Sequence, residues 1–284
     1  MFRSYLKIAW RNLVNTLGYS VLNILGLGIG MSVALLIGLW IYHQLSFDKF
    51  LPDTDRLYRV QRNFNSNGDT LTFRTTSLRL AEELKTNVAD IEYVAESDWM
   101  GSHGLMVDDK KVYLRGGQVG TDFLKMFRFP LIKGNANAVF ADAYSIVLTE
   151  STAKALFDDE DPIGKMVRYE NQNNLRVTGI LADLPANSNF NFNYLVPFTY
   201  LDQTRPFIRE RRTGSYSGNA YQIFVKLKPG VALATVAPKI LNIEHTETGN
   251  LNAMNSYVKL QPLERWHLYS NFVNGQDTEG FLEY

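Results

Sequence analysis

Val21–Tyr42 reads VLNILGLGIGMSVALLIGLWIY, twenty-two residues without a formal charge. At about 1.5 Å per residue a helix over this stretch is roughly 33 Å long, enough to cross the hydrocarbon of a bilayer. Inside lipid no water takes the backbone hydrogen bonds, so the stretch must be helical. Trp40 and Tyr42 at one end and Tyr19 at the other suit the two interfacial aromatic belts. A cleaved signal peptide would have a shorter apolar region followed by small residues. Here the exit is Trp40-Ile-Tyr-His-Gln44, which is bulky, so residues 18–43 read as an uncleaved transmembrane helix.

The flanks give the direction. Arg3, Lys7 and Arg11 precede the span, and Asp48, Asp53 and Asp55 follow it. Excess basic charge stays in the cytoplasm, so the expected location is the bacterial inner membrane. The N-terminus is then cytoplasmic, and the residues after about 44 are periplasmic. Residues 1–17 carry their own helical pattern. Phe2, Leu6, Ala9 and Leu13 form an apolar stripe, Arg3, Lys7 and Arg11 occupy the neighbouring face, and Trp10 sits at the boundary. This reads as an amphipathic helix on the cytoplasmic leaflet, although the same three cations set topology in any case. Asn15–Gly18 supplies the break between the helices. Within the span Gly26, Gly30, Ala34 and Gly38 recur every fourth residue, a small-residue stripe against which another helix packs closely.

Composition narrows the remaining choices. The chain has 284 residues, 45% hydrophobic and 20% charged, which are globular values. Its formal net charge is zero, against a nucleic-acid partner held by phosphate neutralisation. The absence of cysteine removes thiol catalysis, Cys-ligated zinc and disulfides.

Beyond the span the expected class is α+β, a two-lobed periplasmic domain. Arg56–Phe64, Thr76–Asn87 and Ile91–Ser97 read as strand, helix and strand, the first half (44–99) of a split lobe. Ala220–Leu227, Ala234–Ile243 and Ser256–Gln261 repeat that order in the second half (220–265). Four strands covered by two helices result. Residues 100–219 read as an inserted mixed lobe. It has a hairpin across Asp108–Lys111, a short helix at Asp122–Phe127, a strand at Ser145–Thr149 and a helix at Glu150–Phe157. Strands at Lys165–Tyr169 and Leu175–Leu181 complete it. Residues 266–284 are expected to lead toward a further membrane helix.

Motifs with chemistry are few. Ser151-Thr-Ala-Lys154 matches the Ser-x-x-Lys of penicillin-binding proteins, with Arg212-Thr-Gly214 and Ser217-Gly-Asn219 imitating the companion motifs. Their order is the reverse of that family's. The plainer reading is that Ser151 or Thr149 caps a helix. No phosphate-binding loop occurs, since Pro162-Ile-Gly-Lys165 lacks the upstream glycine and the hydroxyl. His43, His103, His245 and His267 are scattered, and Glu244, His245 and Glu247 read as a solvated helix end rather than a metal site. Asp158–Asp161 reads as an exposed turn rather than a calcium loop. No catalytic, cofactor-binding or metal-ligating residue is therefore assigned.

A resemblance runs along nearly the whole chain. It begins with Tyr5-Leu-Lys-Ile-Ala-Trp-Arg-Asn-Leu13, Gly18-Tyr-Ser20 and Asn23-Ile-Leu-Gly-Leu-Gly-Ile-Gly-Met31. It continues through Asp55-Arg-Leu-Tyr-Arg-Val60 and Asp122-Phe-Leu-Lys-Met-Phe-Arg-Phe-Pro-Leu131 with Gly134. Ser145-Ile-Val-Leu-Thr-Glu150, Ala153-Lys-Ala-Leu-Phe157 and Asp161-Pro-Ile-Gly-Lys165 follow. Leu260-Gln-Pro-Leu263 and His267-Leu-Tyr-Ser270 close it. In this order the blocks resemble the MacB/FtsX-like family of ABC-transporter permeases, in the variety common in Bacteroidota. Asp158 departs from the family, which usually has glycine there.

The resemblance implies a non-catalytic permease subunit whose ATP is bound by a separate ATP-binding cassette ATPase. It also implies a second permease copy or homologue, and movement transmitted across the bilayer to the periplasmic domain for export or efflux. Family members have further membrane helices, so the chain is expected to be the N-terminal part of such a subunit. Two other readings stand beside it: the extracytoplasmic sensor domain of a membrane receptor, and an anchored serine acyl-transfer enzyme acting through Ser151.

Overall fold

The computed structural model describes residues 2–66 and 68–280 and divides into two compact units, Met1–Ser46 and Phe47–Tyr284. The first holds helices α1 (Phe2–Asn15) and α2 (Leu17–Leu45). They part at Thr16, whose backbone leaves the helical region and whose hydroxyl donates to the Asn12 carbonyl (2.9 Å). Within α2 the Ser32 hydroxyl donates to the Gly28 carbonyl (2.8 Å), so this polar group needs no water. The helix stops at Ser46, whose N–H and hydroxyl both turn back to the His43 carbonyl. Met1 and the side chains of Phe2 and Leu6, part of the expected apolar stripe, lie outside the described residues.

The second unit begins with the hairpin β1 (Leu57–Ser66) and β2 (Asp69–Phe73), then α3 (Leu78–Asn87) and β3 (Ile91–Ser97). Next come β4 (Ser102–Val107), β5 (Lys110–Val119), α4 (Phe123–Phe127), β6 (Leu131–Lys133), β7 (Ser145–Thr149) and α5 (Glu150–Phe157). They are followed by β8 (Met166–Tyr169), β9 (Asn173–Leu181), β10 (Tyr194–Pro197), α6 (Thr199–Thr204) and α7 (Pro206–Thr213). The chain returns through β11 (Gln222–Leu227), α8 (Leu233–Ile240), α9 (Leu251–Met254) and β12 (Ser256–Pro262). It ends with the hairpin β13 (Asn271–Val273) and β14 (Gln276–Thr278) where a connector was expected; residues 281–284 lie outside the described set.

The class is α+β, as expected. Strands β3, β11, β1 and β12 lie side by side and antiparallel, so β11 of the second half slots between β1 and β3 of the first. The register places Arg59 opposite both Phe224 and Gln261, and Phe224 opposite Ala95. The intervening strands close a ring of their own, β5-β4-β8-β9-β7-β10 and back to β5, which joins the first four strands where β5 meets β3 at Ser97↔Val119.

Alternation along these strands makes two cores. On one face Val60, Val94, Val225 and Leu260 pack with Leu80 and Leu84 of α3 and Val236 and Ile240 of α8. Helix α3 starts where Ser77 accepts the Leu80 N–H. Helix α8 ends three residues before the expected Ile243; Pro238 within it has no N–H to add to the ladder. On the other face Leu57, Ala95 and Phe224 meet Phe123 and Phe127 of α4, with Phe129, Phe190 and Trp266. Phe127 and Phe190 lie 4.7 Å apart between centroids, and Phe123 and Phe127 4.8 Å. Burying each such ring contributes about 2–3 kcal/mol.

Candidate functional site

In the first unit the four small residues lie along α2 with open space before them. A Cβ added at Gly26, Gly30 or Gly38 would meet nothing within 4 Å, and Ala34 is exposed. The large apolar side chains of α2 are exposed all round, including Leu25 (58%) and Leu36 (66%). Such a surface belongs in lipid or against other helices. Helix α2 is long and apolar enough to cross a membrane. Arg3, Lys7 and Arg11 sit at four-residue spacing on α1 and are exposed.

In the second unit, charged side chains that the sequence leaves far apart form its internal frame. Arg62 on β1 and Glu244 in the 3-10 turn Ile243–Thr246 are both 1% exposed, and Nε of Arg62 donates to the Glu244 carboxylate at 2.6 Å. The Ser256 hydroxyl donates to the same oxygen (2.5 Å). Burial pushes the Glu244 carboxyl above the ordinary range, and Arg62 pulls it back. Glu244 was expected on a solvated helix end. The turn instead folds over β12 and carries it inward, where Arg62 faces it from the neighbouring strand.

Lys226 on β11, 3% exposed, donates to Asp53 at 2.7 Å and lowers its carboxyl below the usual range. Arg212 on α7 reaches three elements. It binds Asp202 through Nε and Nη2 (3.0 Å each), Glu82 of α3 (2.6 Å) and Glu96 of β3 (2.6 Å). Burial alone would lower this guanidinium; Asp202 and Glu96 outweigh it and hold it raised.

Two cavities of this unit have walls of marked chemistry. One, of about 390 Å³, has an aromatic lining that includes Trp99, Tyr169, Tyr200 and Tyr221. Asp98 at its edge is pushed up by burial, and the Tyr169 phenol is pushed up to about 12 for the same reason. His103 Nδ1 lies 3.3 Å from Glu170 there. The other, of about 240 Å³, has Arg59, Arg74 and Arg115 on its walls, with Asn189, Gln222 and Trp266. Arg59 is 8% exposed, donates from Nη2 to Gln261 (2.6 Å) and lies over the Trp266 ring at 5.1 Å. Its Nε has no partner, and burial pulls its guanidinium down to about 9, with the charge of Arg74 adding to the effect. Neither cavity was anticipated from the sequence, since their walls come from residues distant along the chain.

The motifs that suggested enzyme chemistry do not converge. The Ser151 hydroxyl donates to Asp183 (2.7 Å), which also accepts the Ser151 N–H (3.2 Å). That carboxylate, brought in after β9, caps α5. Thr149 occupies the capping position, yet its hydroxyl is paired with Thr152 at 2.9 Å instead of an N–H. Arg212 is committed to its three carboxylates, and the Asn219 side chain accepts from Arg62. In the large unit the histidines serve different neighbours: His245 Nε2 pairs with the Ser256 carbonyl (2.8 Å), His267 stacks on Phe47 at 3.4 Å, and His103 borders the 390 Å³ cavity. Among the described residues no group of three His, Asp or Glu is placed to hold a metal.

Comparison with known proteins gives the assembly a context. A search of curated sequences finds no match. Among solved structures, a domain of a protein assigned as a permease from Porphyromonas gingivalis superposes with a TM-score of 0.61 at 22% identity. It covers 75% of this chain and 93% of that one. The periplasmic region of MacB from Actinobacillus actinomycetemcomitans gives 0.50 at 19% identity, covering 72% and 88%. The extracellular domain of the noncanonic ABC-type transporter YknZ from Gram-positive bacteria gives 0.51 at 14%, covering 72% and 99%. At these identities the likeness is one of fold. The family model of the MacB-like periplasmic core domain matches residues 20–243, from within α2 to the turn that carries Glu244. The chain therefore belongs to the MacB-like periplasmic core domain family of ABC-transporter permeases.

Proposed function

We propose that this chain serves in the membrane subunit of an ABC transporter of the MacB/FtsX type. It receives movement driven by a partner ATPase and passes it to the large unit for export or efflux. The carrying observation is the family match over residues 20–243, which takes in most of the spanning helix together with β1, β3 and β11 of the split sheet. Arg3, Lys7 and Arg11 keep α1 on the cytoplasmic face of the bacterial inner membrane, and Phe47 onward lies in the periplasm. The Gly26–Gly38 stripe packs against a membrane helix of the same subunit or of a second permease copy. ATP binds in the partner, with no cofactor in this chain.

The internal frame suits this mechanical role. Arg62 and Lys226 tie the halves of the split sheet to each other, and Arg212 ties helices α6 and α7 of the inserted segment to the first half, so a displacement at one end is carried whole. The test is co-purification of the subunit with an ATP-binding cassette ATPase, followed by a screen for compounds that stimulate hydrolysis. Protease added outside spheroplasts should cut beyond Phe47 and spare α1. Absence of any associated ATPase, or cleavage of α1 in intact spheroplasts, would count decisively against the reading.

A further inference from the structure

Arg56, Arg62, Arg79, Arg212 and Arg265 of the large unit each face a carboxylate. Others have no ion-pair partner among the described residues, and three of these, Arg59, Arg74 and Arg115, border the same 240 Å³ cavity, whose lining contains no Asp or Glu. Taking a guanidinium out of water costs several kcal/mol unless an anion faces it. Arg59 bears that cost: it is 8% exposed, held by the Gln261 amide oxygen and the Trp266 face, with Nε unmatched. Gln261 is itself oriented by donating to the Tyr269 carbonyl (2.9 Å), so Arg59 is aimed rather than loose.

The segment that brings Asn189 to the lining is also held. Asp48 accepts the Asn189 N–H (2.9 Å), the Asn189 amide (2.5 Å) and the Ser188 hydroxyl (3.0 Å). The lining also has an apolar part that includes Phe192, Phe224 and Trp266. One held guanidinium and two exposed ones, lining the same cavity as aromatic rings, suit a ligand that is charged at one end only.

We propose that this cavity binds an organic anion, a phosphate or carboxylate group carried on a small apolar body. Arg59, Arg74 and Arg115 hold the anionic group and Trp266 and Phe224 hold the body. At 240 Å³ the space takes a head group and about one ring, so the ligand is either that small or inserts one end. The site goes beyond the transport reading and stands without it, since it rests only on the cavity walls.

The experiment uses the whole chain in a neutral detergent, titrated calorimetrically with phenyl phosphate, inorganic phosphate and benzylamine. Phenyl phosphate should bind saturably, weaken with added salt, and lose at least about tenfold in affinity in R74A/R115A, as expected when charge-assisted contacts go. Both of those arginines are exposed, so the double variant should unfold at the wild-type temperature. R59M should abolish binding and, without ligand, unfold no earlier than wild type, because it removes an unpaired buried charge. Benzylamine should not bind. No saturable heat from phenyl phosphate up to about 10 mM, or an affinity unchanged in R74A/R115A, overturns the site. Inorganic phosphate binding as tightly as phenyl phosphate overturns the part assigned to the apolar lining.

Discussion

Arg62 and Glu244, 182 positions apart in the chain, meet at 2.6 Å with both side chains 1% exposed. One stands on the central strand of the first half and the other on the turn before the last strand of the second, so the pair closes the split sheet. Removing one partner strands a buried charge, which costs about 3–5 kcal/mol. E244A should therefore lower the urea midpoint severely. R62M/E244L, which removes both charges, should recover most or all of the loss. A double variant no more stable than E244A would show that the pair is not what holds the turn.

Arg212 makes a different prediction because its geometry is a fork. Lysine keeps the charge but reaches one carboxylate where the guanidinium serves Asp202, Glu82 and Glu96 together. R212K should cost about 1–3 kcal/mol, read as a lower thermal midpoint of the large unit. An unchanged midpoint would mean that charge alone suffices there.

Asp53 gives a pH dependence with a defined sign. Its carboxyl is held below the usual range, first by the hydrogen bond from Lys226. A depressed folded value contributes stability above the unfolded value near ~4, lost as pH falls through the lower folded value. D53N should cost about 2 kcal/mol at pH 7, since it leaves Lys226 buried without its counter-charge. The difference from wild type should stay level down to about pH 5 and shrink below about pH 4. A difference that grows on acidification contradicts the assignment.

Asp158 adopts φ 54 and ψ −122, a backbone region in which only glycine is unstrained. D158G should raise stability by about 1 kcal/mol, offset by a few tenths for the exposed Lys110 pair at 2.6 Å. Equal or lower denaturant resistance in the variant would sink this account.

Gly30 tests the membrane helix. A Cβ there meets nothing within 4 Å, so Gly30→Leu creates no clash within the chain. The large unit should unfold at its normal temperature while assembly with partner helices falls. Full assembly and transport in the variant would remove the small-residue stripe from the mechanism.

What was legible in the sequence was local. The uncharged run Val21–Tyr42, the break near Thr16, and the strand-helix-strand orders at Leu57–Ser97 and Gln222–Pro262 follow from periodicity and the absence of charge. Short elements were not legible. Tyr194–Pro197 is four residues buried on both sides, and Pro206–Thr213 has its apolar residues bunched at its start, so neither carries a clear period. The motif Ser151–Lys154 showed the converse, a chemical pattern on a helix whose serine is spent on Asp183.

By itself, then, the sequence determined that the chain has one bilayer-length helix and two β-α-β halves, because hydrophobic spacing is a property of neighbours along the chain. Only the tertiary structure decided that β11 lies between β1 and β3, that Glu244 is buried against Arg62, and that Arg59, Arg74 and Arg115 share one cavity. Strand order and ion pairing depend on which distant segments exclude water from one another. That is settled when the sheet closes, and no local pattern records it.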